Sequence, residues 1–270
     1  MRADIFLAGN GYAKSREDAK RIILSGGASA NGKAIKKPSE NIDETDPPDI
    51  QIFSDTQRYV SRGGLKLEKA IEALGLDPAD MDAVDIGAST GGFTDCLLKH
   101  GARSVKAIDV GHSQLDETLK NDPRVVSYEG MNARYLTPED IGGKYTLAVC
   151  DVSFISLTLI FPAVDRILLP DGVFAALIKP QFEAGRANIG KNGIVRDRAV
   201  HAAVISRVAS DAAMSGLYLS GIAVSPIEGG DGNREYIAIF DRKASEARIS
   251  DESIRAVADG RLEAVRREFS

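Results

Sequence analysis

A chain of 270 residues, 43% hydrophobic and 27% charged, has the composition of an ordinary folded protein and room for one full domain plus a small one. Its longest apolar runs, such as residues 173–178, are far too short to cross a bilayer, and Met1-Arg2-Ala3-Asp4 leads into no secretory segment, so a cytoplasmic protein is expected. Two cysteines and three scattered histidines make neither a disulfide framework nor a metal cluster, and a net charge of -5 argues against indiscriminate coating of nucleic acid.

The charge is unevenly distributed. Residues 1–40 hold eight Lys/Arg against four Asp/Glu, residues 41–57 hold five acids and no base, and Arg58, Arg62, Lys66 and Lys69 follow against Glu68 alone. The alternation suggests a basic module, an acidic linker and a basic approach to the next domain. Within the module, residues 2–8 suit a short helix broken at Gly9-Asn10-Gly11. Ser15, with Asp18 three residues on, starts a second helix on which Ala19, Ile22 and Ile23 share a face; Gly26-Gly27 ends it. Asn31-Gly32 between two short runs then signals a hairpin with Lys33, Lys36 and Lys37 beside it. This order resembles the alpha-L type RNA-binding domain, with Ser15-Arg16, Ala19, Ile23 and Gly26 matching and Ala28-Ser29-Ala30 standing where valines are usual. The resemblance implies an RNA-binding module over residues 1–46, with Arg2, Lys14, Arg16, Lys20, Lys33, Lys36 and Arg62 as candidate RNA contacts.

Asp46-Pro47-Pro48-Asp49 marks a linker, taken as residues 47–57. Beyond it, strand-like runs at 83–86, 105–110, 125–128, 147–150, 173–178, 217–224 and 236–240 alternate with helical stretches. That is the layout of an α/β doubly wound, Rossmann-like sheet over residues 58–244, mostly parallel and buried on both faces. The connection before the last strand is too short for a helical crossover, so that strand is expected antiparallel, as in the methyltransferase variant of the fold. Residues 245–270 space their apolar side chains as one amphipathic helix.

The first strand of the sheet runs into Asp85-Ile86-Gly87-Ala88-Ser89-Thr90-Gly91-Gly92-Phe93, a turn whose backbone can approach a ligand closely and open a helix. Ser89 at the second glycine position suits a pyrophosphate poorly, whereas Asp85 suits a cationic ligand such as the amino group of a methionine moiety. Asp109, 24 residues on, is placed for ribose hydroxyls, and Asn132 for an adenine edge or a bond to its own backbone. Together with Asp151 these form the expected cofactor site.

Asp151 and Lys179 end the fourth and fifth strands, Glu235 begins the last, and Lys66 lies on the helix before the first. Two lysines and two acids at one crevice suit removal of a proton from a poor nucleophile such as a ribose hydroxyl. Lys179 is the candidate base, with Lys66 depressing its pKa and the carboxylates orienting both amines. The segments at 59–67, 85–94, 151–155, 179–183 and 232–236 are similar to those of the TlyA family, FtsJ-like ribose 2′-O-methyltransferases often named hemolysins. That resemblance implies S-adenosylmethionine as cofactor, ribosomal RNA as substrate and Lys66, Asp151, Lys179 and Glu235 as the catalytic tetrad. Tyr236 stands where the family often has phenylalanine. A non-catalytic RNA-binding or ribosome-associated factor on the same fold is the competing reading, with a cytolysin a distant third.

Overall fold

The computed structural model describes residues 1–24, 27–31, 33–43, 47–52, 58–190, 193–229, 232–243 and 249–267. The chain divides into two compact units, Met1–Arg62 and Gly63–Ser270.

In the first unit, α1 (Ala3–Gly9) and α2 (Arg16–Leu24) pack together with three short strands. Ala3, Phe6 and Leu7 fall on one face of α1, and Ala19, Ile22 and Ile23 on one face of α2, by the three-and-four spacing of a helix. Those faces meet Ala28, Ile35, Ile42 and Ile50 in a small core. The Ser15 hydroxyl accepts from the Asp18 backbone at 3.1 Å and so starts α2. β1 (Ala28–Ala30) and β2 (Lys33–Ala34) form the antiparallel hairpin, with Asn31 in the left-handed region at φ 50°. Gly26 and Gly32 lie outside the described residues. One expectation is corrected: part of the supposed linker 47–57 is strand, because β3 (Ile50–Ile52) pairs with the open edge of β1 and buries Ile50. Strand alternation over three residues is too short to stand out beside two prolines. Asp46 and residues 53–57 lie outside the described residues. A buried carboxylate, Asp4, ties the helices together: Arg2 and Arg16 each donate to it from Nε at 2.9 Å. The hydrogen bond from Arg2 above all, then that from Arg16, holds Asp4 far below the usual carboxylate range.

The second unit opens with α3 (Gly63–Leu74), followed by β4 (Asp82–Ile86), α4 (Gly92–Lys99), β5 (Ser104–Ile108), α5 (Glu117–Lys120), β6 (Val125–Tyr128) and α6 (Pro138–Ile141). Then come β7 (Tyr145–Cys150), α7 (Phe161–Ile167), β8 (Leu168–Ile178), α8 (Pro180–Glu183) and α9 (Arg198–Met214). β9 (Tyr218–Val224), β10 (Tyr236–Asp241), α10 (Asp251–Asp259) and β11 (Ala264–Arg266) close the chain. The sheet order is β11-β9-β10-β8-β7-β4-β5-β6. β4 to β8 are mutually parallel, and β10 is antiparallel to both β8 and β9. The chain builds outward from β4 to β5 and β6, then returns to place β7 on the other side of β4. The crevice at the carboxyl ends of β4 and β7 is therefore the switch point where such sheets bind ligands.

Continuous apolar strands make the core. In β8 every residue from 174 to 178 is covered to within 1% of its surface. Phe161, Phe174 and Phe240 meet with ring centroids 5.5–6.1 Å apart. The carboxyl-terminal segment departs from expectation. Instead of one helix over 245–270, α10 stops at Gly260, which takes a left-handed φ of 80°. The chain then turns back as β11 along β9. Helical spacing of apolar residues across the break concealed it, and Phe269 lies outside the described residues. No helix among the described residues is long and apolar enough to cross a membrane.

Candidate active site

Four charged side chains from four separate elements converge at this carboxyl edge. Lys66, in the first turn of α3, places its amine 2.6 Å from Glu235 Oε2 and 3.9 Å from Asp151 Oδ2. Lys179, directly after β8, places its amine 2.6 Å from Asp151 Oδ1. Glu235 reaches the group because β10 runs antiparallel, which brings its beginning beside the end of β8, with Tyr236 opposite Ile178. The two lysines and Glu235 are all less than 10% exposed. Each lysine amine thus has a carboxylate within 2.6 Å, among side chains that are mostly covered.

The glycine turn adjoins this group through Asp151. The Asp151 backbone donates to the Ile86 carbonyl at 3.0 Å, and a Cβ on Gly87 would come within 2.8 Å of the Asp151 carbonyl oxygen. Gly87 also takes φ +82°, so both space and backbone angle call for glycine. Asp85, at the base of the turn, is fully buried. Its Oδ2 accepts from the Thr94 hydroxyl at 2.7 Å, and among the described residues its Oδ1 accepts nothing. Burial pushes its carboxyl up to about 7, against the opposing effect of the Thr94 bond. Ala88 and Ser89 line a small cleft with Asp109, Gly111, Gln114 and Glu129. Gly91 caps α4, which Gly92 and Phe93 begin.

These two arrangements, a glycine turn after β4 and a charged quartet beside it, lie within the stretch 59–242 that fits the model of the FtsJ-like methyltransferases. The chain belongs to that family. A Bacillus subtilis protein, YqxC, named as an rRNA methyltransferase, is 48% identical over 237 residues, which are 87% of this chain and 84% of its own. The Mycobacterium tuberculosis 16S/23S rRNA (cytidine-2′-O)-methyltransferase TlyA is 40% identical over 264 residues, 96% of this chain and 98% of its own. A solved structure from Streptococcus thermophilus, named as a hemolysin, superposes with a TM-score of 0.77 at 44% identity, covering 96% of this chain and 94% of that one.

Several residues of this methyltransferase that were expected to bind cofactor or RNA also make contacts within the chain. Asp109 pins the glycine turn: its Oδ2 accepts from the Ser89 backbone at 2.8 Å and its Oδ1 from Gly111 at 2.7 Å. The first bond explains how Ser89 holds a left-handed φ of 48° at the position where glycine was expected. Asn132 is exposed, and its Oδ1 accepts from the Arg134 backbone at 3.1 Å, the local turn that was the alternative to an adenine contact. The Phe93 ring is buried, so only the backbone of that residue can face a ligand. In the first unit, Arg2 and Arg16 are half committed to Asp4, and Lys20 pairs with Glu17 at 2.6 Å. Lys14, Lys33 and Lys36 are exposed, and Arg62 is half-buried.

Other contributors went unnoticed in the sequence. Lys179 donates to the Ser153 hydroxyl at 2.9 Å, and Gln181 donates to Glu235 Oε1 at 3.1 Å. A Cβ on Gly229 would lie 2.6 Å from that same Glu235 oxygen, so a side chain there would press on the carboxylate. Phe154 is 90% exposed and takes φ +65°, an uncommon angle for a bulky residue. Its ring lies 5.1 Å from that of Phe182, and the Phe182 ring centroid lies 6.0 Å from the Lys179 amine. Ser153, Gln181 and Phe182 stand in segments flagged for their charged members, but serine, glutamine and phenylalanine carry no signal of function by type.

Proposed function

We propose that this chain transfers a methyl group from S-adenosylmethionine to a ribose 2′-hydroxyl of ribosomal RNA. The observation that carries the reading is the Lys179 amine, 2.6 Å from Asp151, at the switch point where Asp151 also adjoins the glycine turn. Placement of a proton acceptor next to a ligand turn is what methylation of a hydroxyl requires. The names of the relatives, rRNA methyltransferases among them, support ribosomal RNA as the substrate and cytidine as the target nucleotide.

The residues present fit the cofactor. A buried Asp85 oxygen that accepts no hydrogen bond among the described residues suits a cationic amino group, and Gly87 leaves room for close approach. S-adenosylmethionine, when bound, supplies a methyl group made electrophilic by its sulfonium. Lys179, as the neutral amine, takes the hydroxyl proton onto its nitrogen lone pair as the nucleophile attacks. The hydrogen bond to Ser153 fixes one direction around the Lys179 nitrogen, and the Asp151 carboxylate 2.6 Å away holds the amine at the site. Lys66, held by Glu235 and near Asp151, keeps a positive charge beside the site. Gln181 in turn orients Glu235. The exposed Phe154 ring offers a stacking face for an unpaired base, and the lysines of the first unit offer phosphate contacts.

The test is transfer of radiolabelled methyl from S-adenosylmethionine to ribosomal subunits from cells lacking the gene, with mass spectrometry of the RNA nucleosides. Methylated ribose is expected with the wild-type protein. The Lys179→Ala protein should lose roughly 10²–10⁴-fold in rate while still binding the cofactor. RNA binding without methyl transfer by the wild type would favour the non-catalytic factor instead.

A further inference from the structure

Glu183 is a carboxylate with only 4% of its surface exposed, one turn beyond Lys179, and the mechanism above makes no use of it. Burying an ionised carboxylate is costly unless its oxygens are well satisfied. Here they are. Oε1 accepts from the Leu157 backbone at 2.8 Å, and Oε2 from the Ser156 hydroxyl at 2.7 Å. Arg207 of α9 donates to Oε2 at 3.2 Å and to the Glu183 carbonyl at 2.6 Å.

Two segments of backbone are joined by these bonds. One runs from Asp151 through Ser153 and Phe154 to Leu157; the other runs from Lys179 to Glu183. They are linked at three levels: Lys179 to Asp151 and Ser153 at the reacting end, Phe182 to Phe154 in the middle, and Glu183 to Ser156 and Leu157 at the far end. Between the first and last links sits Phe154 with its left-handed backbone, a conformation that persists only where the surroundings hold it. The last link has a buried carboxylate and an anchoring arginine. Without it, the far side of the strained residue would rest on the ring contact and on the packing of Ile155 and Leu157 in the core.

We propose that Glu183 is a positioning residue for methyl transfer: with Arg207 behind it, it holds the segment after β7 against α8, so that Ser153 and Asp151 keep the Lys179 amine aimed and Phe154 keeps its place. The inference rests on the methyltransferase reading. Glu183 itself touches neither substrate nor cofactor, and it acts through the backbone of residues 156 and 157. A displacement of about 1 Å at a reacting group lowers rate by roughly 100-fold, so its loss is felt in turnover rather than in binding.

The experiment compares Glu183→Ala, Glu183→Gln and Ser156→Ala in the full chain, by methyl transfer to the same ribosomal subunits and by calorimetric binding of S-adenosylmethionine. Glu183→Ala should lower kcat roughly 10- to 100-fold with cofactor Kd within about twofold of wild type. Glu183→Gln should recover much of the rate, because its amide oxygen can still accept from Leu157. Ser156→Ala, which leaves the buried carboxylate and its arginine in place, should show a smaller loss of kcat with unchanged Kd. Wild-type kcat in Glu183→Ala overturns the proposal, as does a loss of rate matched by an equal loss of cofactor binding. If Glu183→Ala does not fold, Ser156→Ala decides: reduced kcat at constant Kd supports the clamp, and wild-type kcat overturns it. A wild-type protein that transfers no methyl would overturn the functional reading itself, a result distinct from any difference among the variants.

Discussion

At the scale of single residues, the site depends on charges whose surroundings set their behaviour. Asp85 shows this most plainly. Burial lifts its carboxyl from 3.8 to about 7. The folded protein therefore keeps a proton that the unfolded chain releases across that interval. Folding stability contributed by Asp85 is highest in acid, falls as pH rises from 3.8 to about 7, and is level above. Binding of a cationic amino group runs the other way, since it needs the ionised carboxylate. Affinity for S-adenosylmethionine should thus rise between roughly pH 6 and pH 8, and calorimetry with wild type and Asp85→Asn checks it. The variant should bind weakly and without that slope. An unchanged slope in Asp85→Asn would show that another group is responsible.

Among the elements, the unexpected β11 has a specific fastening. Arg267, just beyond it, donates to both oxygens of Asp241 at the end of β10, at 2.8 and 2.5 Å, and its backbone donates to the Ser220 carbonyl in β9. Both side chains are nearly covered. The carboxyl-terminal strand is held to the sheet by a covered ion pair as well as by its ladder. Removing one member of such a pair leaves the other charge uncompensated, which is more damaging than never having had the pair. Arg267→Met should therefore destabilise the second unit by about 3–5 kcal/mol, read as a lower denaturation midpoint at constant slope. Stability within about 0.5 kcal/mol of wild type would mean that β11 contributes little, as for an ordinary surface substitution.

For the molecule as a whole, charge is divided along the chain rather than spread evenly. The net charge is -5, yet the first 40 residues carry an excess of four positive charges. An RNA-binding role for the first unit predicts an affinity that falls with salt, since each phosphate neutralised releases counterions. Replacing Lys14, Lys33 and Lys36 together with alanine should flatten the plot of log affinity against log salt by roughly 0.7 to 0.9 for each phosphate no longer neutralised. Cofactor binding, which the proposal assigns to residues of the second unit, should not change. Filter binding at several salt concentrations separates the two effects; equal slopes for variant and wild type would remove these lysines from the RNA surface.

The order of strands and helices was legible in the sequence, because a sheet buried on both faces writes itself as apolar runs, and the glycine turn and Asp85 were legible because tight backbone geometry restricts residue type. The antiparallel last strand followed from the length of a connection, and with it the edge on which Glu235 stands. Short elements left no such trace: β3 is three residues beside two prolines, and β11 follows a break that helical spacing hides. Only the tertiary structure could bring Lys66 within 2.6 Å of Glu235, 169 residues away, or turn Asp109 inward to pin Ser89. It alone gave Glu183 its partners. The physical reason is that local sequence governs backbone preference and burial, whereas a hydrogen bond between distant side chains exists only once packing has set both ends.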